Sequence, residues 1–375
     1  MLKKKIANKA IFFCEVFSRK RNSIEVLFIA NAYIPTLSIY FTKVMGAEVS
    51  YSVLTEVDLK YTFEGLFKAK LGLAYWLFLI KKRNPKVIIF CRYSGVHAKE
   101  LLEYTKQHSI TTIYQIDDDL LNVPIEFGEK KYKFHHSPAR LSAVKKLLNG
   151  VDLIYSSNNR LTERLISYGV QNNFYTCSIA ASGQIYNLPQ KLSSKKIGYM
   201  GFDHAQDFAF VVPAIVRVLK EFPEVTFELF GTIPKPVELH EFGGRAVVHP
   251  PVNNYKKFIQ KFSKMNWSIA ICPLVDTPFN SVKSNIKWIE YTSIGAAVIA
   301  TKGTIYDDCC ANGCGVLTES DGWYDAILDL LRNDIKRYTL VKNAQEKIIN
   351  DYNDGILKAQ IFTGLNAAYK ARSSV

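Results

Sequence analysis

Short, wholly apolar runs alternate along the chain with longer segments whose apolar residues recur at helical spacing. In the first half, the apolar runs predict strands at 25–30, 48–54, 86–91, 111–116 and 152–156. The segments between them predict helices near 35–46, 62–83, 95–107, 137–149 and 158–168. Strands that are apolar throughout are typical of parallel sheets covered by helices on both faces. The pattern therefore predicts an α/β domain with a parallel sheet.

The alternation pauses at 187–196, where NLPQKLSSKK is polar and predicts a linker. It then resumes with predicted strands at 196–200, 225–230, 267–272 and 297–300. Predicted helices follow near 206–221, 253–263, 282–294, 321–332, 335–351 and 355–371. We therefore predict an N-terminal domain at 1–190, a second domain at 191–354, and a C-terminal helix at 355–375 that crosses back to the first domain. Two consecutive α/β domains also predict a ligand-binding cleft between them.

The composition is that of an ordinary globular protein, with 375 residues of which 48% are hydrophobic, and this excludes a disordered chain. The seven cysteines form no CxxC pair, and several lie inside apolar runs, which indicates reduced thiols in the cytoplasm. The N-terminus lacks the unbroken apolar stretch of a signal peptide. The longest apolar run, 71–80, is shorter than the about 20 residues that span a bilayer. We therefore expect no targeting segment and no membrane span.

The net charge of +14 is concentrated in the first half, because residues 1–190 carry 26 Lys+Arg and only 15 Asp+Glu. This asymmetry predicts an anionic partner for that half. Residues 3–21 place apolar side chains at helical spacing among lysines and arginines, as in a helix that lies on an anionic membrane. An ordinary helix packed on the first domain is the other interpretation, and the helix near 64–83 allows the same two. No nucleic-acid-binding module is recognisable, so we expect no nucleic-acid partner.

The segment CPLVDTPFNSVKSNIKWIEYTSIGAAVIAT, at 272–301, is the most informative stretch of the second half. It predicts a helix from near Ser281 to a cap at Gly295. On such a helix Lys283, Lys287 and Glu290 are spaced four and three apart and share one face. Two lysines and a helix N-terminus would bind a diphosphate, and the glutamate would accept hydrogen bonds from vicinal hydroxyls. A solvent-exposed face with a Lys287–Glu290 ion pair is the alternative.

Two further segments carry candidate ligand residues. In KIGYMGFDHAQ, Gly201 would let a ligand approach the backbone just before a helix, and His204 would either donate to a phosphate or serve as a capping or core histidine. In TTIYQIDDDLLNVP, the residues Asp117, Asp118 and Asp119 follow a buried strand. Adjacent carboxylates raise at least one pKa unless a cation or hydroxyls lie nearby. A ligand site, a divalent metal site and an N-cap cluster remain open for them.

These three segments together resemble a known family. KSNIKWIEYTSIGAAVIAT resembles the donor-site segment of retaining GT-B glycosyltransferases of family 4, and particularly of bacterial surface-polysaccharide enzymes. Residues 196–231 are similar to the family's unit of strand, glycine loop and helix that faces the donor phosphates. QIDDDL is similar to the YDIDDDLW region of the same enzymes. The resemblance implies the GT-B fold, with two facing Rossmann-like domains and an inter-domain cleft.

The resemblance also implies roles for individual residues. Glu290 would bind the donor ribose, and the chain at Lys283, Ser284 and Asn285 would lie against the diphosphate. The expected donor site is completed by three further residues, Gly201, His204 and Lys287. Asp117, Asp118 and Asp119 would lie near the acceptor, and the expected catalytic residues are Lys283, Glu290 and Asp118. The chain departs from the family at Val282, where a second glutamate is common, and in lacking the Arg and Lys after the glycine of residues 196–231.

The implied activity is that of a retaining hexosyltransferase in the biosynthesis of bacterial cell-surface polysaccharide. It would use a nucleotide-diphospho-sugar donor and a polysaccharide or lipid-linked glycan acceptor, with no cofactor and no essential metal. We expect it in the cytoplasm, either dissolved or peripheral on the inner face of the plasma membrane. Two alternatives remain open, a non-catalytic binding or scaffold protein with a GT-B-like frame and a sugar-nucleotide epimerase.

Overall fold

A computed structural model describes residues 24–46, 48–58, 68–95, 97–189, 195–202, 205–252 and 254–374. The described chain forms two compact units. The first consists of the described parts of Met1–Val123, Lys133–Ser178 and Lys358–Val375, and the second of Pro124–Tyr132 and the described parts of Ile179–Leu357. The basic N-terminal segment at 3–21 lies outside the described residues, so both interpretations of it stay predictions.

The first unit is built on a parallel six-stranded sheet with the strand order β2-β1-β3-β4-β5-β6. Its central strands are buried throughout because helices cover both faces, as their apolar runs predict. The strands are β1 Val26–Ala30, β2 Tyr51–Thr55, β3 Val87–Cys91, β4 Thr111–Ile116, β5 Leu153–Ser156 and β6 Phe174–Thr176.

The helical elements of this part of the chain begin where the local sequence favours a helix start. Pro35 and Pro138 occupy first turns, and the Asn158 side chain accepts a hydrogen bond from the backbone N–H of Leu161. The helices are α1 Pro35–Leu37, α2 Lys43–Met45, α3 Lys68–Arg83, α4 Ala98–Gln107, α5 Glu129–His135, α6 Pro138–Gly150 and α7 Asn159–Ser167. A π-helical segment, Ser38–Thr42, joins α1 to α2, and a 3-10 turn, Ile125–Phe127, precedes α5.

The second unit is also built on a parallel six-stranded sheet, with the strand order β12-β11-β10-β7-β8-β9. Its strands are β7 Lys196–Gly201, β8 Thr226–Gly231, β9 Ala246–His249, β10 Ile269–Cys272, β11 Ala297–Thr301 and β12 Val316–Thr318. Trp267 packs so closely on β7 that a side chain at Gly198 would meet its ring at 1.9 Å. The two sheets match the two-domain, Rossmann-like α/β fold class predicted for the chain.

The helices of the second half are α8 Ala205–Ala209, α9 Val212–Glu221, α10 Tyr255–Phe262, α11 Ile286–Ser293, α12 Asp307–Cys310, α13 Trp323–Arg332, α14 Asp334–Asp351 and α15 Asp354–Ser373. Two 3-10 segments, Val237–Arg245 and Asn280–Val282, lie between them. The prediction of a single helix near 206–221 is wrong. The first helix ends at Ala209, and a second helix, α9, begins at Val212 with a proline in its first turn. Among the described helices, none is both long and apolar enough to cross a bilayer.

Candidate functional site

The strand order of the second sheet reverses direction between β7 and β10. In open parallel sheets, ligands bind beyond the carboxyl ends of the strands at such a reversal. Here those ends are Gly201 on β7 and Cys272 on β10. The chain from Cys272 through α11, which carries five of the seven predicted donor-binding residues, therefore begins at this position.

Lys283 does not share a helical face with Lys287 and Glu290, and that prediction is wrong. The 3-10 turn Asn280–Val282 is followed by Lys283 in an extended conformation, with φ −67° and ψ 173°, and α11 begins only at Ile286. The Asn280 amide holds the turn by donating to Asp207 Oδ1 and to the Val275 carbonyl, each at 2.9 Å. The expected repulsion between two lysines one helical turn apart therefore does not arise.

Lys283 instead lies against two aromatic rings of the second unit. Its Nζ is 4.8 Å from the ring centroid of Phe127 and 5.3 Å from that of Phe279. The two rings meet edge to face, with centroids 5.1 Å apart and an angle of 66° between their planes. The negative faces of aromatic rings attract an ammonium group, so this pair gives Lys283 a preferred position.

Lys287 lies in the first turn of α11 and reaches back to β7. Its Nζ donates to the Tyr199 hydroxyl at 3.3 Å and lies 4.7 Å from the centre of that ring. Burial lowers the pKa of Lys287, while the acidic groups of Cys272, Asp207 and Glu290 act in the opposite direction. An incoming anion would favour the charged form of this desolvated ammonium.

Glu290 lies one turn further along α11 and is buried, with 6% of its surface exposed. Burial raises the pKa of Tyr255 well above its ordinary value, and the charge of Glu290 and a hydrogen bond to it raise that pKa further. The Tyr255 hydroxyl thus donates a hydrogen bond to the Glu290 carboxylate. The role of Glu290 in binding a ribose stays a prediction.

Ser284 and Asn285 connect Lys283 to α11. Asn285 occupies the N-cap position, yet its side chain makes no capping hydrogen bond and donates instead to the Tyr352 hydroxyl at 3.1 Å. The first backbone N–H groups of α11 thus have no side-chain cap from Asn285, which is the arrangement that an anion at a helix N-terminus requires.

Gly201 has a structural reason to be a glycine. A side chain there would place its Cβ 2.3 Å from Cδ1 of Ile233. Across the sheet, Gly231 has a φ of +142°, and a Cβ on it would lie 2.0 Å from the Gly201 carbonyl oxygen. Close packing at the ends of β7 and β8 explains both glycines without a ligand. His204 lies outside the described residues, so its predicted role stays a prediction.

In the first unit, two of the three predicted acceptor residues share one arginine. Arg92 NH1 lies 3.1 Å from Asp117 Oδ1, and its NH2 lies 2.7 Å from Asp118 Oδ2. The Thr36 hydroxyl also donates to Asp117 at 3.3 Å. Burial raises the pKa of Asp117 to about 6, since it outweighs the opposing effect of Arg92, and the nearby Asp118 raises that pKa too.

Asp119 is separated from this cluster by its hydrogen bonds. It is 1% exposed and accepts from the Tyr168 hydroxyl at 2.6 Å and from the backbone N–H of Leu121 at 3.2 Å. The Asn122 amide donates to it as well. Its partners are those of a residue that fixes the turn after β4, which leaves Asp117 and Asp118 as the pair beside Arg92.

Arg92 is the main site candidate that the sequence analysis missed. It follows β3 directly, with a φ of +46°, and the neighbouring β4 ends just before the acidic residues. A cation after one buried strand and carboxylates after the next strand in sequence are visible in the sequence as FCR and IDDD. Adjacent parallel strands bring such residues to one sheet edge, so this signal was available.

The comparisons with known proteins concern structure alone, since no family model and no curated protein matches the sequence. TarM of S. aureus has 16% identity and a TM-score of 0.56 over 79% of this chain, which spans 58% of TarM. Sucrose-phosphate synthase of Thermosynechococcus elongatus has 14% identity and a TM-score of 0.62, and the match covers 92% of this chain and 100% of the synthase chain. Anabaena HepE, solved with UDP-glucose, has 14% identity and a TM-score of 0.61 with the same coverage.

Structural similarity at such low sequence identity shows a shared fold and nothing more specific. The two parallel sheets, each with its surrounding helices, match the Rossmann-like domains of these structures. The chain therefore has the two-domain, Rossmann-like α/β fold of GT-B glycosyltransferases.

Proposed function

We propose that the protein transfers a sugar from a nucleotide-diphospho-sugar to a glycan acceptor. The observation that carries this proposal is that Lys283 and Lys287 lie two residues to either side of the N-cap Asn285 of α11, in the chain that follows β10. Two ammonium groups and uncapped N–H groups suit a diphosphate. Glu290, one turn deeper, suits vicinal hydroxyls. The UDP-glucose bound by the structural neighbour HepE supports the same class of donor.

The chemical demand of the reaction is to stabilise charge as the glycosidic bond breaks. Negative charge develops on the leaving diphosphate, and Lys283, Lys287 and the helix N-terminus would stabilise it more in the transition state than in the ground state. We propose retention of configuration, in which the leaving phosphate takes the proton of the acceptor hydroxyl. Analysis of the product anomer by NMR checks this, because an inverted product would contradict the proposed course.

The first test is nucleotide binding. UDP, GDP or ADP should raise the melting temperature of the protein, and Glu290→Ala should weaken that binding about tenfold or more, as expected for a lost pair of charge-assisted hydrogen bonds. Glu319→Ala, a change at an exposed surface ion pair, is the matched control and should bind as the native chain does. If none of the nucleoside diphosphates stabilises the native protein, the proposed function is wrong.

A second candidate function is a non-catalytic protein that binds a nucleotide-sugar. The observation in its favour is Val282, which is 1% exposed, so an apolar side chain is buried where the family that the chain resembles often carries a sugar-contacting glutamate. Incubating the protein with a panel of labelled nucleotide-sugars separates the possibilities. Transfer to an acceptor supports the main proposal, a changed sugar without acceptor indicates an epimerase, and binding with unchanged donor indicates a scaffold.

We further propose that the first unit contacts an anionic membrane surface, where lipid-linked acceptors are found. The outward face of α3 exposes Leu71 and Phe78, at 52% and 39%, and Lys82 lies 5.9 Å from the Phe78 ring centre. An apolar face with a basic end is typical of interfacial helices. Phe78→Glu should reduce binding to vesicles containing anionic lipid, and equal binding to neutral and anionic vesicles would contradict the proposal.

We propose that transfer needs no bound metal ion, because lysine ammonium groups and backbone N–H groups would provide the positive charge at the diphosphate. Protein that has been passed through a chelating column and is then assayed in excess EDTA should transfer sugar at the same rate as untreated protein. Restoration of a lost rate by added Mg²⁺ or Mn²⁺ would show that a metal carries this role instead.

A further inference from the structure

The segment Pro124–Tyr132 follows the acidic turn after β4 in the chain, yet it belongs to the second unit. Its 3-10 turn ends at Phe127, and Gly128, at a φ of +100°, then redirects the chain into α5. Within this segment Ile125 points to solvent, with 55% of its surface exposed, whereas Phe127 is partly buried. The segment thus presents the Phe127 ring to the second unit.

Phe127 is one of two aromatic rings that contact the Lys283 ammonium, and the other is Phe279. Phe279 lies on the same chain segment as Lys283, four residues before it, and is 8% exposed. Phe127 supplies the nearer ring, at 4.8 Å against 5.3 Å, and comes from a distant part of the sequence. The extended backbone of Lys283 provides no helical neighbours to restrict its long side chain. The two rings therefore contribute to favouring one position of its ammonium group.

We infer that Phe127 is a positioning residue, which fixes the Lys283 ammonium where it meets the donor diphosphate. This inference rests on the proposed function for the identity of the ligand. Phe127 contacts the lysine rather than the reacting atoms, and it acts through Lys283. A lysine held in place beforehand loses less side-chain freedom when the ligand binds, so the aromatic contact strengthens binding of the diphosphate.

A substitution series on Phe127 separates the ring's electrostatic effect from its bulk. Phe127→Leu keeps an apolar side chain but removes the π face, and should raise the dissociation constant for the nucleoside diphosphate that the native chain binds by about two- to fivefold. Phe127→Trp keeps the face and should restore native affinity. Ile125→Ala, in the same segment but on its solvent side, is the matched control and should have no effect.

A double-mutant cycle with Lys283→Met decides whether the effect passes through the lysine. In the Lys283→Met background, Phe127→Leu should cause no further loss of affinity. If Phe127→Leu weakens binding as much in that background as in the native chain, or leaves the affinity of the native chain unchanged, the inference is wrong.

A measurement without nucleotide keeps this test distinct from that of the proposed function. After reductive ¹³C-methylation of the lysines, the Lys283 methyl resonance, identified by its absence in Lys283→Arg, should be shifted upfield by the two rings. Phe127→Leu should move it toward the position of exposed lysines. An unchanged resonance overturns the inference. If the resonance moves but no nucleoside diphosphate binds the native chain, the contact is real and the ligand assigned to both is wrong.

Discussion

At the scale of single residues, the acidic turn after β4 contains three adjacent carboxylates with different surroundings. Asp117 is buried and contacts Thr36 and Arg92, Asp118 is partly exposed and pairs with the other terminal nitrogen of Arg92, and Asp119 is bonded within its own turn and to Tyr168. The sequence shows three equivalent aspartates. Only the local backbone and the neighbouring strand decide which of them lie beside Arg92.

The raised pKa of Asp117 predicts a pH dependence of stability. The folded pKa, about 6, lies above the ordinary value of 3.8, so the folded state binds this proton more tightly than the unfolded state. The resulting stabilisation is complete below pH about 4 and is lost as the pH rises through 6. Between pH 7.5 and pH 5 the native chain should gain about 1 kcal/mol from this group. Urea unfolding at both pH values should show this gain reduced in Asp117→Asn, and an undiminished gain would contradict the assignment.

Asp118 and Asp119 should respond differently to truncation. Asp119→Ala removes the acceptor of several hydrogen bonds in a buried turn and should lower the free energy of unfolding by about 2 kcal/mol. Asp118→Ala loses a partly exposed ion pair and should cost at most about 1 kcal/mol while reducing transfer to the acceptor. Urea unfolding and initial transfer rates check both. Native transfer by Asp118→Ala would remove Asp118 from the proposed acceptor site.

At the scale of elements, the sequence predicts the buried strands and the edge strand β2, but it misses the other three edge strands of the described sheets. The central strands β1, β3, β4, β7 and β8 are apolar because both of their faces are covered, and the sequence pattern shows that directly. The strands β6, β9 and β12 lie at sheet edges, have three or four residues and are partly exposed, so the sequence lacks a long apolar run there.

In the candidate site, too, the sequence predicts the residues of a regular helix and misses those held by contacts between segments. Lys287 and Glu290 lie on α11 as expected, because the helix is long enough for its periodicity to be visible. Lys283 lies outside it, because side-chain hydrogen bonds from Asn280 to Asp207 and Val275 hold the preceding turn, and such contacts between distant segments leave no local pattern. For the same reason the sequence does not reveal that Phe127 packs on Lys283.

The close packing at the ends of β7 and β8 predicts that stability depends strongly on a glycine at position 231 but not at position 244. Gly231→Ala combines a φ of +142° with a Cβ 2.0 Å from the Gly201 carbonyl, so it should lower the free energy of unfolding by about 3 kcal/mol. Gly244→Ala is the matched control, since no atom lies within 4 Å of the added Cβ and no positive φ is required. Urea unfolding compares them, and equal stability of the two variants would show that the strand ends can separate without cost.

At the scale of the whole molecule, the chain's last helix belongs to both compact units. The residues of α15 up to Leu357 group with the second unit, and those from Lys358 group with the first. Within the first unit, Gln360 accepts from the backbone N–H of Ser178 at 2.7 Å and donates to the Tyr155 hydroxyl at 2.9 Å. Helix α15 thus ties the end of the chain to β5, which carries Tyr155.

This arrangement predicts that the C-terminal helix stabilises a sheet far from it in sequence. Gln360 is 4% exposed and Tyr155 is 1% exposed, so Gln360→Ala takes a hydrogen-bond partner from the buried Tyr155 hydroxyl and should lower the free energy of unfolding of the first unit by about 2 kcal/mol. Native-state hydrogen exchange of the β5 amides should speed up accordingly, while the amides of β7 and β8 should exchange as before. Ser373→Ala, which removes a bond to the Tyr369 carbonyl within the same helix, is the control. If the β5 amides exchange alike in both variants, α15 rests on the first unit without supporting it, and its removal would leave that sheet intact.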